Sequence, residues 1–105
     1  KNMLLSSTGQ NIFPEEIEVV PNAKPFVAES LIVQREAARV AIIVVDNDKV
    51  ANSGMDAAAL NAVMRGNIEK LNKEIPAYSS IADFELRFEP FAKTPKGSIK
   101  RFMYS

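Results

Sequence analysis

The sequence predicts an α+β domain: a small mixed sheet of about three strands covered by two helices and preceded by a short two-stranded hairpin. Three observations carry this expectation. Two β-rich runs at 26 to 34 and 39 to 45 are separated by a turn-length gap. Leu60, Val63, Met64, Ile68, Leu71 and Ile75 recur at steps of three and four, the spacing of one helical stripe. Phe84, Leu86 and Phe88 alternate with Glu85, Arg87 and Glu89, the period of a strand with one wet face.

Taken in order, Met3, Leu4 and Leu5 lead through Ser6-Ser7-Thr8-Gly9 to Asn11, Ile12 and Phe13, two short extended pieces around a turn. Pro14 suits the first position of a helix, where its missing N–H costs nothing. Glu15, Glu16 and Glu18 suit the positive end of that helix, and Pro21 stops it after about two turns. From Phe26 to Gln34 both faces of a strand are apolar, with Val27, Leu31 and Val33 on one and Phe26, Ala28 and Ile32 on the other. Arg35-Glu36-Ala37-Ala38 is short enough for an antiparallel hairpin into a second strand, Arg39 to Val45. Asp46-Asn47-Asp48 breaks that strand and opens a loop through Gly54. A long helix runs from about Met55 to Glu74 and ends before Pro76. A third strand covers 83 to 89, and a tail from Lys93 to Ser105, with Lys93, Lys96, Lys100, Arg101 and no acid, returns toward the start.

Composition limits the chemistry. The 105 residues make one domain, of a size that buries somewhat over ~60% of its unfolded surface without covalent staples. With no cysteine and no histidine, this chain cannot build a disulfide, a thiolate zinc site, an imidazole base or a Ser-His-Asp triad. Thirteen basic and 13 acidic side chains leave a formal charge of zero, which argues against a nucleic-acid partner gripped through many phosphates. The longest apolar run, Val40 to Val45, falls far short of the ~20 residues of a membrane span. Because the first residue is Lys1 instead of Met, and the first few residues lack the apolar stretch and small-residue cleavage site of a signal peptide, the chain is expected to be a piece of a larger protein.

Few motifs survive inspection. Carboxylates at Glu15, Glu16 and Glu18 are expected from the helix dipole alone. Asp46-Asn47-Asp48 resembles the opening of a calcium loop, but the sixth and twelfth positions are Ala51 and Ala57 instead of glycine and glutamate. No glycine pattern cradles a phosphate. The basic tail has two readings, a solvated surface or a lysine offered to an anion. An ammonium ~4 Å from a phosphate oxygen at an effective dielectric of ~20 gains about 4 kcal/mol before desolvation, ample for positioning.

The two ends read together are specific: Lys1-Asn2-Met3-Leu4, then Gly9-Gln10-Asn11-Ile12-Phe13-Pro14-Glu15-Glu16-Ile17-Glu18, and finally Lys93-Thr94-Pro95 with Ile99-Lys100-Arg101. Over almost its whole length the chain resembles the C-terminal domain of the adenylate-forming acyl-CoA synthetases (the AMP-binding enzyme superfamily). Ser-x-Gly-Gln-Asn-Ile, Ala77-Tyr78-Ser79-Ser80-Ile81 and the closing Lys-Arg-Phe-Met-Tyr look most like the bacterial long-chain fatty acid CoA ligases. The resemblance implies a lid domain, inactive alone, whose N-terminal partner domain holds ATP, Mg2+ and the acyl chain. Fatty acid and ATP give acyl-adenylate and pyrophosphate, then the thiol of CoA displaces AMP, the small domain rotating about a hinge between steps. It implies no cofactor or metal within this piece, and the lack of a membrane-spanning run suggests a cytoplasmic setting, peripheral to the membrane where a long-chain substrate resides. By the same resemblance Lys1, with Asn2, sits at the hinge. Ser7, Thr8, Gly9 and Gln10 lie in the loop that approaches the pantetheine, by backbone contact and without proton transfer.

One departure stands out. The family tail reads Lys-Thr-x-x-Gly-Lys-Ile-x-Arg, and the lysine after the glycine contacts carboxylate and phosphate during adenylation; here that column is Ser98. Lys96 and Lys100 flank it. In an extended tail all three side chains point the same way, with offsets of roughly 7 Å, so either lysine could substitute; in a helix Ser98 would face away from both. Adenylation that is merely weak is the third reading. Other classes stay open at this point: a relative that loads an acyl carrier protein, and a free-standing α+β binding or dimerisation module with no chemistry.

Overall fold

The computed structural model describes residues 3–104. Strands β1 (Leu4–Leu5) and β2 (Asn11–Ile12) pair antiparallel as a small separate hairpin. Helix α1 (Pro14–Asn22) follows, with Pro14 in its first turn beside Glu15 and Glu16, so the ring costs no hydrogen bond and the carboxylates meet the dipole. The main sheet has the order β3-β4-β5, with β3 spanning Val27–Arg35, β4 Ala38–Val45 and β5 Asp83–Arg87. Central β4 runs antiparallel to β3 and parallel to β5, giving the mixed three-stranded sheet expected. The parallel pair is possible because the long α3 (Ala57–Glu74) makes the crossover.

Three local expectations change. The register of β3 shifts between Val27 and Glu29; this bulge spends one residue, Ala28, and turns Val27 onto the face of Ile32 instead of that of Leu31 and Val33. The segment after β4 is not a loop: Asn47–Ser53 forms helix α2. Asp46 caps it by accepting a hydrogen bond from the Lys49 N–H at 3.2 Å, and Gly54 closes it in the left-handed conformation at φ 72°. A short extended link then reaches Asp56, whose carboxylate accepts from the Ala59 N–H at 2.8 Å and caps α3. The long helix therefore begins two residues later than the stripe alone suggests.

Each sheet face has its own core. On one, Ile32, Ile43 and Val45 meet Ile17 of α1 and Met64 and Leu71 of α3. On the other, Leu31, Val33, Val40, Ile42 and Val44 meet no helix. Phe91 covers them, with Ile99 and Tyr104 packed alongside. The tail thus returns toward the start, as expected, and also forms the second layer of the domain. Burying a side chain such as Phe91, which is 3% exposed, contributes about 1.5–3 kcal/mol, and this anchors the start of the segment on the sheet.

Candidate functional site

The tail folds back on itself as a tight hairpin. Lys93 and Ile99 face each other as an antiparallel bridge, flanked by hydrogen bonds from the Thr94 N–H to the Ser98 carbonyl and from the Lys100 N–H to the Ala92 carbonyl, both 2.8 Å. Its turn is closed by the Gly97 N–H on the Thr94 carbonyl at 2.9 Å. Pro95 supplies the fixed φ that the first corner wants, and Gly97 takes φ 88°, where a side chain is disfavoured. This corrects the extended-tail expectation. Lys96 sits at the apex of a turn, so strand alternation does not carry it into line with Ser98. Beyond the turn alternation resumes. Ile99 packs on the sheet core, and Lys93, on the same side of the hairpin but exposed, reaches Glu29 at 2.6 Å. Ser98 and Lys100 alternate with Ile99 along the strand, and both line one open cleft together with Glu15, Thr94, Gly97, Ile99, Arg101 and Phe102.

The hairpin is pinned at its far end by Arg101. Its Nη1 donates to Glu18 Oε2 at 2.9 Å and its Nη2 to Glu18 Oε1, a two-point contact between planar groups. Glu18 is 6% exposed and also accepts from the Ile32 N–H at 2.8 Å. A buried carboxylate of this kind needs such partners. The hydrogen bond to Glu18 raises Arg101 above its already high ordinary pKa, against the opposing cost of burial. Further along, Tyr104 meets Phe91 edge to face with ring centroids 4.9 Å apart, and its hydroxyl accepts from the Ala92 N–H at 2.7 Å. Of the four tail cations, Lys93 and Arg101 are thus neutralised by carboxylates of the same domain. Among the described residues, Lys96 and Lys100 form no ion pair.

A second cluster occupies the turn between β1 and β2. The Ser6 hydroxyl, buried, donates to Gln10 Oε1 at 2.7 Å and accepts from the Gln10 N–H at 2.9 Å. The Thr8 hydroxyl also donates to Gln10 Oε1. Gly9 takes φ 90° while its N–H bonds the Ser6 carbonyl at 3.1 Å. Ser7, Thr8, Gly9 and Gln10 are therefore gathered in one exposed, internally tied loop. No hydrogen bond or ion pair among the described residues joins this loop to the tail hairpin. Lys1 and Asn2 lie outside the described residues.

Sequence reasoning missed two residues that organise these clusters. Ser6 was passed over as a turn residue, although its hydroxyl holds Gln10. Glu18 was explained by the helix dipole, although it clamps the tail across 83 positions. Opposite charges in two distant motifs were the signal for the second pair, but a chain with 13 cations and 13 anions offers too many such combinations to choose from.

Among the described residues no group of three or more acidic side chains is placed to hold a metal, and no helix is long and apolar enough to cross a membrane. A sequence model of the family described as "AMP-binding enzyme C-terminal domain" matches residues 1–104. No curated protein matches the sequence. Among solved structures, the adenylation domain of a carboxylate reductase from Mycobacterium chelonae superposes with a TM-score of 0.82 at 16% identity, over 97% of this chain and 17% of that one. The A-PCP didomain of carboxylic acid reductase from Segniliparus rugosus, in complex with AMP, gives 0.75 at 21% identity over 96% of this chain and 15% of that one. A Mycobacterium tuberculosis fatty acyl CoA synthetase gives 0.68 at 22% identity over 96% and 18%. At these identities the likeness establishes the fold, and the chain spans under a fifth of each protein's length.

Proposed function

The chain belongs to the AMP-binding enzyme C-terminal domain family, and from that membership we propose that it is the mobile lid of a larger two-domain ligase. In this reading the parent protein activates a long-chain fatty acid with ATP. A carboxylate oxygen attacks the α-phosphorus, the bond to pyrophosphate breaks, and the thiol of CoA then attacks the acyl carbon and expels AMP. ATP, Mg2+ and the acyl chain are held by the other domain, and this chain supplies side chains and backbone to each step in turn. The fatty-acid and CoA preferences rest on the tail and loop wording, Ser-x-Gly-Gln-Asn-Ile and Lys-Arg-Phe-Met-Tyr.

The single observation that supports an adenylation role for the tail is the division of its cations. Lys93 and Arg101 are held by Glu29 and Glu18, which leaves the ammonium groups of Lys96 and Lys100 on a rigid hairpin to meet an anion. One of them takes the part that Ser98 cannot. The loop of Ser7, Thr8, Gly9 and Gln10 faces the pantetheine in the second step; its internal hydrogen bonds lower the entropy cost of presenting a fixed backbone edge. Lys1 and Asn2 serve as the hinge.

The test is fatty-acid-dependent exchange of pyrophosphate into ATP by the full-length parent. Exchange is expected. A folded parent that shows none with any fatty acid, or whose reading frame begins near Lys1, would reject the ligase reading in favour of a free-standing module. Offering free CoA against a phosphopantetheinylated carrier protein then settles the acceptor, with CoA expected to be preferred.

A further inference from the structure

We propose that Glu18 is the positioning residue of the tail hairpin and that the ammonium it holds in place is that of Lys100, with Lys96 in at most a supporting part. The inference rests on the ligase reading above and adds to it a choice between the two lysines and a reason for that choice.

Three features converge on Lys100. First, its backbone is fixed on both sides. Its own N–H is bonded to the Ala92 carbonyl at 2.8 Å, and the next residue, Arg101, is held by two oxygens of one carboxylate. That carboxylate is itself fixed by the Ile32 N–H at 2.8 Å, so the clamp runs from the tail through α1 to the central part of β3. Second, Lys100 is two residues from Ser98 on the same face of the strand and lines the same cleft. A four-carbon stem can cover a two-residue offset of roughly 7 Å. Third, Glu18 neutralises Arg101, with a Glu15 oxygen 3.9 Å from the Arg101 Nε, so that the guanidinium does not compete for an incoming carboxylate or phosphate. Lys96 has none of these supports: it is exposed at the apex of the turn and does not line the cleft. A loosely held cation is a weak electrostatic catalyst, because the stabilisation depends on a charge that is already in place when the transition state forms.

The experiment uses the full-length parent and two assays, pyrophosphate exchange for adenylation and thioester formation from supplied acyl-adenylate. Lys100→Ala is expected to slow exchange by about 100-fold, far more than Lys96→Ala does, with thioester formation retained. Glu18→Gln, which keeps the shape and removes the charge that holds Arg101, is expected to slow exchange selectively in the same direction. A merely structural role would instead lower both half-reactions together in proportion to the folded fraction. Should Glu18→Gln fail to fold, Arg101→Lys, which keeps the charge and loses the two-point fork, is measured by the same criteria. The proposal is overturned if Lys96→Ala abolishes exchange while Lys100→Ala preserves it, or if the Glu18 and Arg101 variants slow both steps equally. Absence of exchange in the unmodified parent is a different result, since it removes the ligase reading itself.

Discussion

Glu36 shows how a single residue can work against its own fold. It occupies the first of the two positions between β3 and β4 at φ 55°, a conformation that costs an ordinary side chain roughly 1–2 kcal/mol and glycine almost nothing. Part of that gain is offset by the greater freedom of glycine in the unfolded chain. Glu36→Gly is therefore expected to stabilise the domain by about 0.5 kcal/mol, read as a rise in the urea midpoint. Asn67 acts in the opposite sense. It is buried, and its amide donates to the Pro25 carbonyl at 2.9 Å, fixing the chain just before Phe26 takes φ 66°. Asn67→Ala leaves that carbonyl without its partner and is expected to cost about 1–3 kcal/mol in the same measurement. At the tail, Arg101 has its pKa raised by Glu18. A cation so shifted contributes its stabilisation fully below the unfolded value and loses it only as pH climbs past the folded one. Deprotonation of Arg101 therefore does not weaken the clamp at or below neutral pH.

Elements carry information that single residues do not. The stripe of α3 and the alternation of β5 were legible because each repeats over enough positions to define a face. Helix α2 was not, since its seven residues bury none of their side chains and so leave no periodic signal. Only its two ends speak for it, Asp46 as the cap and Gly54 as the stop. Asp46→Ala is accordingly expected to cost about 1 kcal/mol and to fray α2, seen as faster amide exchange in residues 47 to 53 while α3 keeps its protection. The bulge in β3 was hidden for a different reason. With apolar side chains on both faces of the strand, a one-residue slip leaves the pattern looking the same, although it moves Val27 to the opposite core. In the tail hairpin Pro95 and Gly97 make a turn where the sequence pattern offered only an extended or a helical tail. The partner that made them a turn, Ser98 returning to Thr94, was a matter of register.

The molecule as a whole is three layers: two helices, a three-stranded sheet, and the C-terminal segment as the third. Removing residues 91 to 105 would bare the face formed by Leu31, Val33, Val40, Ile42 and Val44, a contiguous apolar patch of the kind that drives association. Such a shortened chain is expected to lose cooperative thermal unfolding and to bind a hydrophobic dye. Phe91→Ala in the full chain is expected to cost about 3–5 kcal/mol. The same segment bears Lys96 and Lys100, so the part of the molecule proposed to meet a ligand is also a part of its core. By itself the sequence determined the α+β class, the long helix, the paired strands and the two terminal motifs, because these follow from periodicity and local turn chemistry that act over a few neighbouring residues. Only the tertiary structure decided which cations are spent on internal carboxylates, which lysine shares a face with Ser98, and what covers the second side of the sheet. Those outcomes depend on contacts between residues as far apart as Glu18 and Arg101, where complementary charge permits many pairings and packing selects one.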